Sequence, residues 1–585
     1  MGAKSSPLDV RPSVGYRRVK VYLRTRRVRH QDRVYEYVEI VESQRRQGRI
    51  LRRSLGTLGR KDLLKPETID GLIGHLQKLA SPGARRGLRV GEMRTLGVKE
   101  FGPIWACRQL WEELGLDHLL AGLPQSAAVP VEEAVFRLVS NRLVDPQSKL
   151  AVSEWQEQVA WPSGKPALAY EQLLRAMDLL HPHRQGIEDA VFSKVTELFS
   201  LPLNLVFYDL TSVYFEGDGV SSLAEYGYSR DHRDDRAQVV VGLAVTQEGI
   251  PITHRVYPGN TGDPLTFLPM VRELKERFGL PDAVIVADRG MFSAANVEGL
   301  EASGVKYVLA LRARQQLEGH AALELADRAG LPRPQDEKAP WELREVSLRK
   351  GVRHVVVYSA YKALHDRLVR ARRLERTRSD LRQLQVRSAK LKRRTLIERA
   401  TRILAEHKTS QYFGYLALDG SLSFWLERAH YRRQRRHDGV FILQTNHSQL
   451  SAAEIVRSYM QLQEVERAFR VLKSLVKVRP MFHWAQRRVE THIFICFLAY
   501  LLAKALELRL RANPATKHLS ISKALDRLAT LKAVDYRWQD FFITELSEPQ
   551  DPLKPVLAAL GLKLANPVLR TAPAPPPERA VRIQM

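Results

Sequence analysis

LPLNLVFYDL, residues 201–210, is a continuous apolar run that ends in an acid, and such a run reads as a strand covered on both faces. The segments after it have the same grammar. QVVVGLAVT (238–246) and IPITHRVYPG (250–259) flank the short connector QEG, which predicts a hairpin whose turn relies on Gly249. Residues 264–279 place apolar side chains at helical spacing. AVIVAD (283–288) is a second buried strand with an acid at its end, and VKYVLALR (305–312) is a third after a short helix. Strand with Asp209, hairpin, helix, strand with Asp288, helix, strand: that order predicts a mixed α/β sheet.

On the N-terminal side, VKVYLR, VYEYVEIVES and RILRRSLGTLG predict a three-strand meander over residues 16–58, with QRRQG as a turn. Between Arg11 and Arg60 there are 15 basic and 4 acidic residues, enough to make one face of the meander strongly positive. From 64 to 200 the apolar spacing turns helical, with breaks at PSGKP (162–166) and HPHRQG (181–186). On the C-terminal side, residues 313–440 interrupt the sheet. WELREVSLRK, RHVVVYSAY, GYLALDG and GVFILQTN read as strands, while Tyr361–Lys408 carries 16 basic and 5 acidic residues on a Leu-spaced pattern free of Pro and Gly, a basic two-helix arm. The helical period returns from 451, and TAPAPPPERAVRIQM closes the chain as a Pro-rich segment with the composition of a disordered tail.

The whole chain has 585 residues, which at roughly 100 to 200 per domain predicts three to five units. With 44% apolar and 27% charged residues it is neither wholly disordered nor fibrous. Its 92 Lys and Arg against 65 Asp and Glu leave +27, an excess that points to a polyanionic partner, nucleic acid first and an anionic membrane second. Cys107 and Cys496 stand apart without a CxxC or Cys/His cluster, which excludes a disulfide framework and a zinc finger and fits a reducing cytoplasm. The N-terminus lacks the apolar stretch of a signal peptide; Gly2 and Ser6 formally match a myristoylation pattern, a weak signal. The most apolar run, Ile493–Ala503, is 11 residues, short of the roughly 20 a spanning helix needs. No membrane role is expected, and nucleic acid leads.

Asp209 and Asp288 are 79 positions apart, and Glu466 follows 178 later in the helical SAAEIVRSYMQLQEVERAFRVLKS. Alone, an acid at a strand end or a Glu on a helix is ordinary. The order of elements around them is that of an RNase H-like fold, whose acids converge at one sheet edge. Three converging carboxylates repel unless a cation neutralises them, and hard oxygen ligands suit Mg²⁺ or Mn²⁺. Two such ions about 3.5–4 Å apart can serve both the attacking and the leaving oxygen of a phosphodiester. Tyr459, Glu466 and Lys473 are seven apart; on one helix they would share a face, drifting by only about 20° per step. Tyr459, Leu462, Phe469 and Leu472 serve equally well as a core stripe.

Y459-x2-L462-x3-E466-x6-K473 resembles the Tyr-Arg-Glu-Lys signature of bacterial insertion-sequence transposases of the DDE type, and YDLTSVYFEG, VADRGMFS and VERAFRVLKSLVKVRPMFHW resemble that family's three acidic motifs. The resemblance spans at least 205–500. It implies an RNase H-like catalytic domain split by a β insertion, with two Mg²⁺ or Mn²⁺ ions, Asp209 bridging both metals, and Asp288 and Glu466 each completing one site. Tyr459 and Lys473 would hold phosphates of the transposon end. The family's Arg is Leu462 here, so that contact would fall to a neighbour such as Arg467 or Arg470. It further implies cut-and-paste transposition: cleavage at terminal inverted repeats, then joining of the 3′-hydroxyl to target DNA, by a homodimer in the bacterial, nucleoid-associated cytoplasm.

On this reading the chain divides into a DNA-binding meander (1–62), a helical region for DNA-end binding or dimer contacts (63–200), the catalytic core (201–312 and 449–512), an insertion with its arm at 361–408 (313–448), and a C-terminal helical region with the tail (513–585). Further features are expected. GYSRDHRDDRAQ (227–238) reads as a solvated loop rather than a metal loop of Asp231, Asp234 and Asp235, with contact to DNA as the rival, and Asp263 reads as an N-cap ahead of Pro264. Arg289 either touches phosphate or makes a surface ion pair. Trp425, beside a basic cluster, is expected in a core, with stacking on a flipped base as the rival; His483 and Trp484 are expected to be structural. The competing functions are a structure-specific nuclease or resolvase, and a catalytically silent DNA-binding derivative.

Overall fold

The computed structural model describes residues 20–30, 33–46, 49–64, 93–124, 129–201, 203–279, 283–311, 317–328, 341–538, 541–564 and 568–573. The chain forms two compact units, Met1–Arg94 and Thr95–Met585. In the first, β1 (Lys20–His30), β2 (Arg33–Arg46) and β3 (Arg49–Arg60) make an antiparallel meander. Val41 is buried in it, and so is Glu39, where Arg24 and Arg26 reach its carboxylate at 2.9 and 3.1 Å. The strands extend into the expected QRRQG turn, leaving only 47–48 between them, outside the described residues.

The second unit opens with a strand where a helix is expected: β4 (Met93–Glu100). Six helices follow, α1 (Gly102–Glu113), α2 (Leu116–Ala121), α3 (Val131–Val144), α4 (Lys149–Trp155), α5 (Tyr170–Leu180) and α6 (Arg184–Phe199). Then comes the sheet that positions the acids. β5 (Leu205–Tyr214), β6 (Gln238–Thr246) and β7 (Pro251–Pro258) form an antiparallel meander; after α7 (Asp263–Phe278), β8 (Val284–Ala287) lies parallel to β5, and after α8 (Ala294–Ala302), β9 (Lys306–Leu311) lies parallel to β8. Gly249 makes the β6–β7 turn with φ +79°, a conformation a side chain resists.

Beyond α9 (Leu317–Arg328), the sheet continues instead of giving way to a separate β insertion. β10 (Glu342–Arg349), β11 (Val352–Tyr358) and, much later, β14 (Val440–Thr445) complete an eight-stranded order β10-β11-β14-β9-β8-β5-β6-β7. Between β11 and β14 stands the basic arm: α10 (Ala360–Val386), α11 (Arg393–Glu406), the hairpin β12 (Phe413–Leu418) and β13 (Ser421–Leu426), and α12 (Arg428–Arg436). It carries a core of its own, with Leu381, Leu396, Leu404 and Leu422 buried. A long basic helix pair with only one apolar stripe is stable here because the hairpin covers that stripe.

α13 (Ala452–Met460) and α14 (Gln463–Ser474) follow, then α15 (Gln486–Ala512). Every residue of α15 from Thr491 to Glu507 is buried, so its apolar run is the central core helix. Among the described residues no helix is long and apolar enough to cross a membrane. The end of the chain is less helical than expected. After α16 (Ile521–Leu528) come β15 (Lys532–Trp538), β16 (Phe541–Leu546), α17 (Lys554–Ala559) and β17 (Val568–Pro573), and the strands make a second sheet in the order β17-β16-β15-β4. The Pro-rich end from 574 lies outside the described residues.

The large sheet is covered on both faces. Phe207, Val213, Val284 and Val286 join α14, α15 and the first helices in one core, while Val206, Tyr208, Leu210 and Ile285 meet α7 and α8 in another. Since alternate side chains of a strand point to opposite faces, Asp209 and Asp288 both belong to the first face. All nine residues of β6 are buried, as a central strand between two layers requires.

Candidate active site

Asp209 does not end its strand. β5 pairs with β8 up to Tyr208 opposite Ala287 and continues alongside β6 to Tyr214. The parallel pairing stops where β8 stops, and the next residues are Asp209 on one strand and Asp288 on the other. Two carboxylates thus stand side by side on one face at the point where the sheet opens. The Asp209 carboxylate accepts from the Leu210 backbone N–H at 2.8 Å. Burial pushes its pKa up to about 7; the Leu210 bond opposes this, the Asp288 charge adds to it, Arg230 opposes it, and the Glu466 charge adds to it again.

Glu466 lies on the exposed side of α14, whose Val465, Ala468, Phe469 and Leu472 are buried against the sheet. The helix expected to carry Tyr459, Glu466 and Lys473 on one face is in fact two, broken at Gln461 and Leu462. Leu462 starts α14 and is buried at 6% exposure, so its side chain is core. Tyr459, on α13, nevertheless reaches the site: its hydroxyl donates to Asp288 Oδ1 at 3.0 Å. Burial and the Asp288 carboxylate push the Tyr459 hydroxyl's pKa up. A Ser451–Glu454 capping box starts α13 and fixes where Tyr459 falls.

The remaining cations divide. Arg289 is exposed beside Asp288, and the two line a cleft of about 1130 Å³ together with Tyr459, His365, Arg373 and Lys408 of the arm. Lys473 is not a free ammonium: its Nζ donates to Asp231 Oδ1 at 2.8 Å, and Arg479 reaches the same oxygen at 3.0 Å. Burial lowers the Lys473 pKa, and Asp231 counters it. The loop expected to be solvated therefore sends in a carboxylate that is only 5% exposed; Asp235, by contrast, is exposed and pairs with Arg233 at 2.7 Å. Arg467 turns away from the acids to Glu507 on α15 at 2.5 Å, and Arg470 is exposed on α14.

Asp263 is not an N-cap either. Gly262 occupies that position without a side-chain bond, and the Asp263 carboxylate accepts from Arg230 at 2.6 Å. Trp425 is not core: at 48% exposure it lies over Gly414 of the partner strand, where a Cβ would come within 2.5 Å of its ring. Trp484 is 66% exposed, whereas His483 is held by burial at a pKa of about 3. The structure thus brings together Asp209, Asp288, Tyr459 and Arg289, lets the Glu466 charge act on Asp209, and leaves Arg467 and Trp425 elsewhere. Arg230, Asp231 and Asp263 belong to this neighbourhood and carry no local sequence signal beyond the density of charge in 230–236.

Among the described residues no group of three or more His, Cys, Asp or Glu side chains is close enough to hold a metal ion as it stands. The donor chemistry still fits a hard cation: oxygen ligands, and an Asp209 whose raised pKa reflects burial near two other acids.

Residues 201–502 match the family model described as "Transposase DDE domain", and residues 23–85 match "IS1634 family transposase, N-terminal domain". No curated protein matches the chain. Among solved structures, it is similar to the "Mos1 transposase paired-end complex with left transposon end" at 12% identity, covering 32% of this chain and 59% of that one, with a TM-score of 0.14. A second, the "Crystal structure of the Mos1 mariner paired end complex with Mn", is 11% identical over 35% of this chain and 66% of that one, with a TM-score of 0.13. The chain thus spans less than two thirds of either, and likenesses so slight carry no structural argument. The family model covers more than half of the sequence and contains all three acids: this chain belongs to the DDE transposases of insertion sequences.

Proposed function

We propose that the protein is a DNA transposase that cleaves DNA at terminal inverted repeats and joins the freed 3′-hydroxyl to target DNA, with Asp209, Asp288 and Glu466 as its acidic centre. The observation that carries this reading is that Asp209 and Asp288 are the next residues on β5 and after β8 where the two strands part, with the Glu466 charge acting on Asp209. The order β7-β6-β5-β8-β9, an antiparallel meander joined to two parallel strands, supports an RNase H-like core. These three acids would hold two divalent ions, Mg²⁺ or Mn²⁺, which when bound supply Lewis-acid activation of the phosphodiester. The protein's own part is positioning and charge, since the scheme needs no covalent nucleophile from the chain.

Tyr459 fixes the Asp288 carboxyl through its hydroxyl. Arg289, Arg373 and Lys408 give the adjoining cleft cations for the DNA backbone. Trp425, 48% exposed on the arm's hairpin with its indole N–H donating to Glu427, would stack on an unpaired base, and the exposed Arg27, Arg52 and Arg53 of the meander suit contact with the transposon end. A homodimer on DNA is part of the proposal, as the family resemblance implies. The test is substitution of the acids: Asp209→Asn, Asp288→Asn and Glu466→Gln should each reduce Mg²⁺-dependent end cleavage by at least about 10³-fold while end binding survives. Cleavage that persists in any of the three would remove that residue from the centre.

A further inference from the structure

The loop between β5 and β6 brings a cation, Arg230, whose charge acts on Asp209. Arg230 is anchored at its backbone, whose N–H donates to Ser212 Oγ at 2.9 Å, three residues along β5 from Asp209. Its guanidinium is anchored at the other end by Asp263, the first residue of α7, at 2.6 Å. Asp263 in turn lies beside the Asp288 loop: a Cβ on Gly290 would come within 3.0 Å of its second carboxylate oxygen. Arg230 is therefore strung between the segments that carry Asp209 and Asp288, and its charge acts on the Asp209 carboxyl. The side chain keeps 19% exposure. A guanidinium has five N–H donors, and of these the Asp263 bond uses one.

Several other cations near the centre are committed, while Arg289 is exposed toward the cleft. Lys473 and Arg479 share Asp231, Arg467 pairs with Glu507, and position 462 holds a buried Leu. We propose that Arg230 is a DNA-contacting residue of the acidic centre, held by Asp263 so that its free N–H groups meet a phosphate oxygen of the strand processed at Asp209 and Asp288. The inference rests on the reading of those acids as the cleavage site. Asp263 is then a positioning residue.

The test uses the full-length protein and a DNA duplex carrying the element's terminal repeat. Arg230→Ala should lower kcat/KM for end cleavage by about 10- to 100-fold, the range for a lost charge-assisted hydrogen bond, and reduce the slope of log binding constant against log salt by about one. Asp263→Asn should raise KM in the same assay with little change in kcat. A wild-type slope and wild-type cleavage in Arg230→Ala would overturn the proposal. Should Arg230→Ala lose its thermal transition, Arg230→Lys decides: a wild-type salt slope with reduced kcat/KM supports the contact, since charge remains and the fork is lost, and wild-type kcat/KM overturns it. Asp209→Asn separates the two levels. If it still cleaves, the reading of the acids has failed; if it is silent while Arg230→Ala is normal, Arg230 alone has been misassigned.

Discussion

Asp209 shows how a place in a sheet can leave a carboxylate open where a neighbouring strand ends. Its neighbours on the same face, Phe207 and Val213, are core, and the carboxylate is spared only because β8 ends at the level of Tyr208. Elsewhere in the same sheet a polar side chain is buried with no such outlet. His354, on β11, is fully buried, and among the described residues neither ring nitrogen has a hydrogen-bond partner; burial first, then Arg349, lowers its pKa to about 4. A histidine whose folded pKa is depressed contributes stability above its unfolded pKa of about 6.5 that is lost as pH falls toward the folded value. Denaturant unfolding at pH 8 and pH 5 should accordingly find His354→Leu gaining about 1–3 kcal/mol over wild type on acidification. A constant difference at the two pH values would mean that His354 does not stay neutral in the fold. Asp209 and Asp288 were legible in the sequence because each follows an apolar run, although the run at 205–209 continues as strand to Tyr214; Glu466, on a helix, was legible only through the order of elements around it. Arg230, Asp231 and Asp263 were not, because their partners lie 33 or 242 positions away and charge density alone reads as solvation.

At the scale of elements, continuous buried strands were the most legible and helix continuity the least. LVFYDL, VVVGLAV and VIVA each carry too many apolar residues for a one-sided strand, and each is covered on both faces. The 452–474 stretch keeps a helical period across Gln461 and Leu462, yet the chain breaks there; Leu462 enters the core and Tyr459 reaches Asp288 from a separate helix. β4 was misread because its strand state depends on β15, more than 430 residues later. The arm illustrates local stability. Leu396 is fully buried in a core made only of arm residues, so Leu396→Ala should cost about 2–5 kcal/mol confined to that element. Hydrogen exchange would register it as faster exchange across 360–426 with β5, β6 and β8 unchanged. Uniform acceleration across the sheet would mean that the arm has no core of its own.

Over the whole molecule, the net charge of +27 has an architectural counterpart. Basic side chains collect on the meander and on the arm, and the arm's Arg373 and Lys408 look across a cleft at Asp288 and Arg289. A long polyanion laid in that cleft would bring a phosphodiester to the acids while its neighbouring phosphates meet cations, and the field of the protein would favour its approach. The α/β core, the arm and the acids could be read outward from residues 201–210; the merging of the insertion's strands into the same sheet could not, because edge pairing is decided by partners far away in the chain. What the account requires above all is that three distant stretches meet around a divalent ion. Iron-directed cleavage measures this directly: Fe²⁺ bound in place of Mg²⁺, with ascorbate and peroxide, cuts the polypeptide near its own ligands. Cuts are expected close to residues 209, 288 and 466, suppressed by excess Mg²⁺ and lost in Asp209→Asn. Cuts clustered elsewhere, or indifferent to Asp209→Asn, would contradict it.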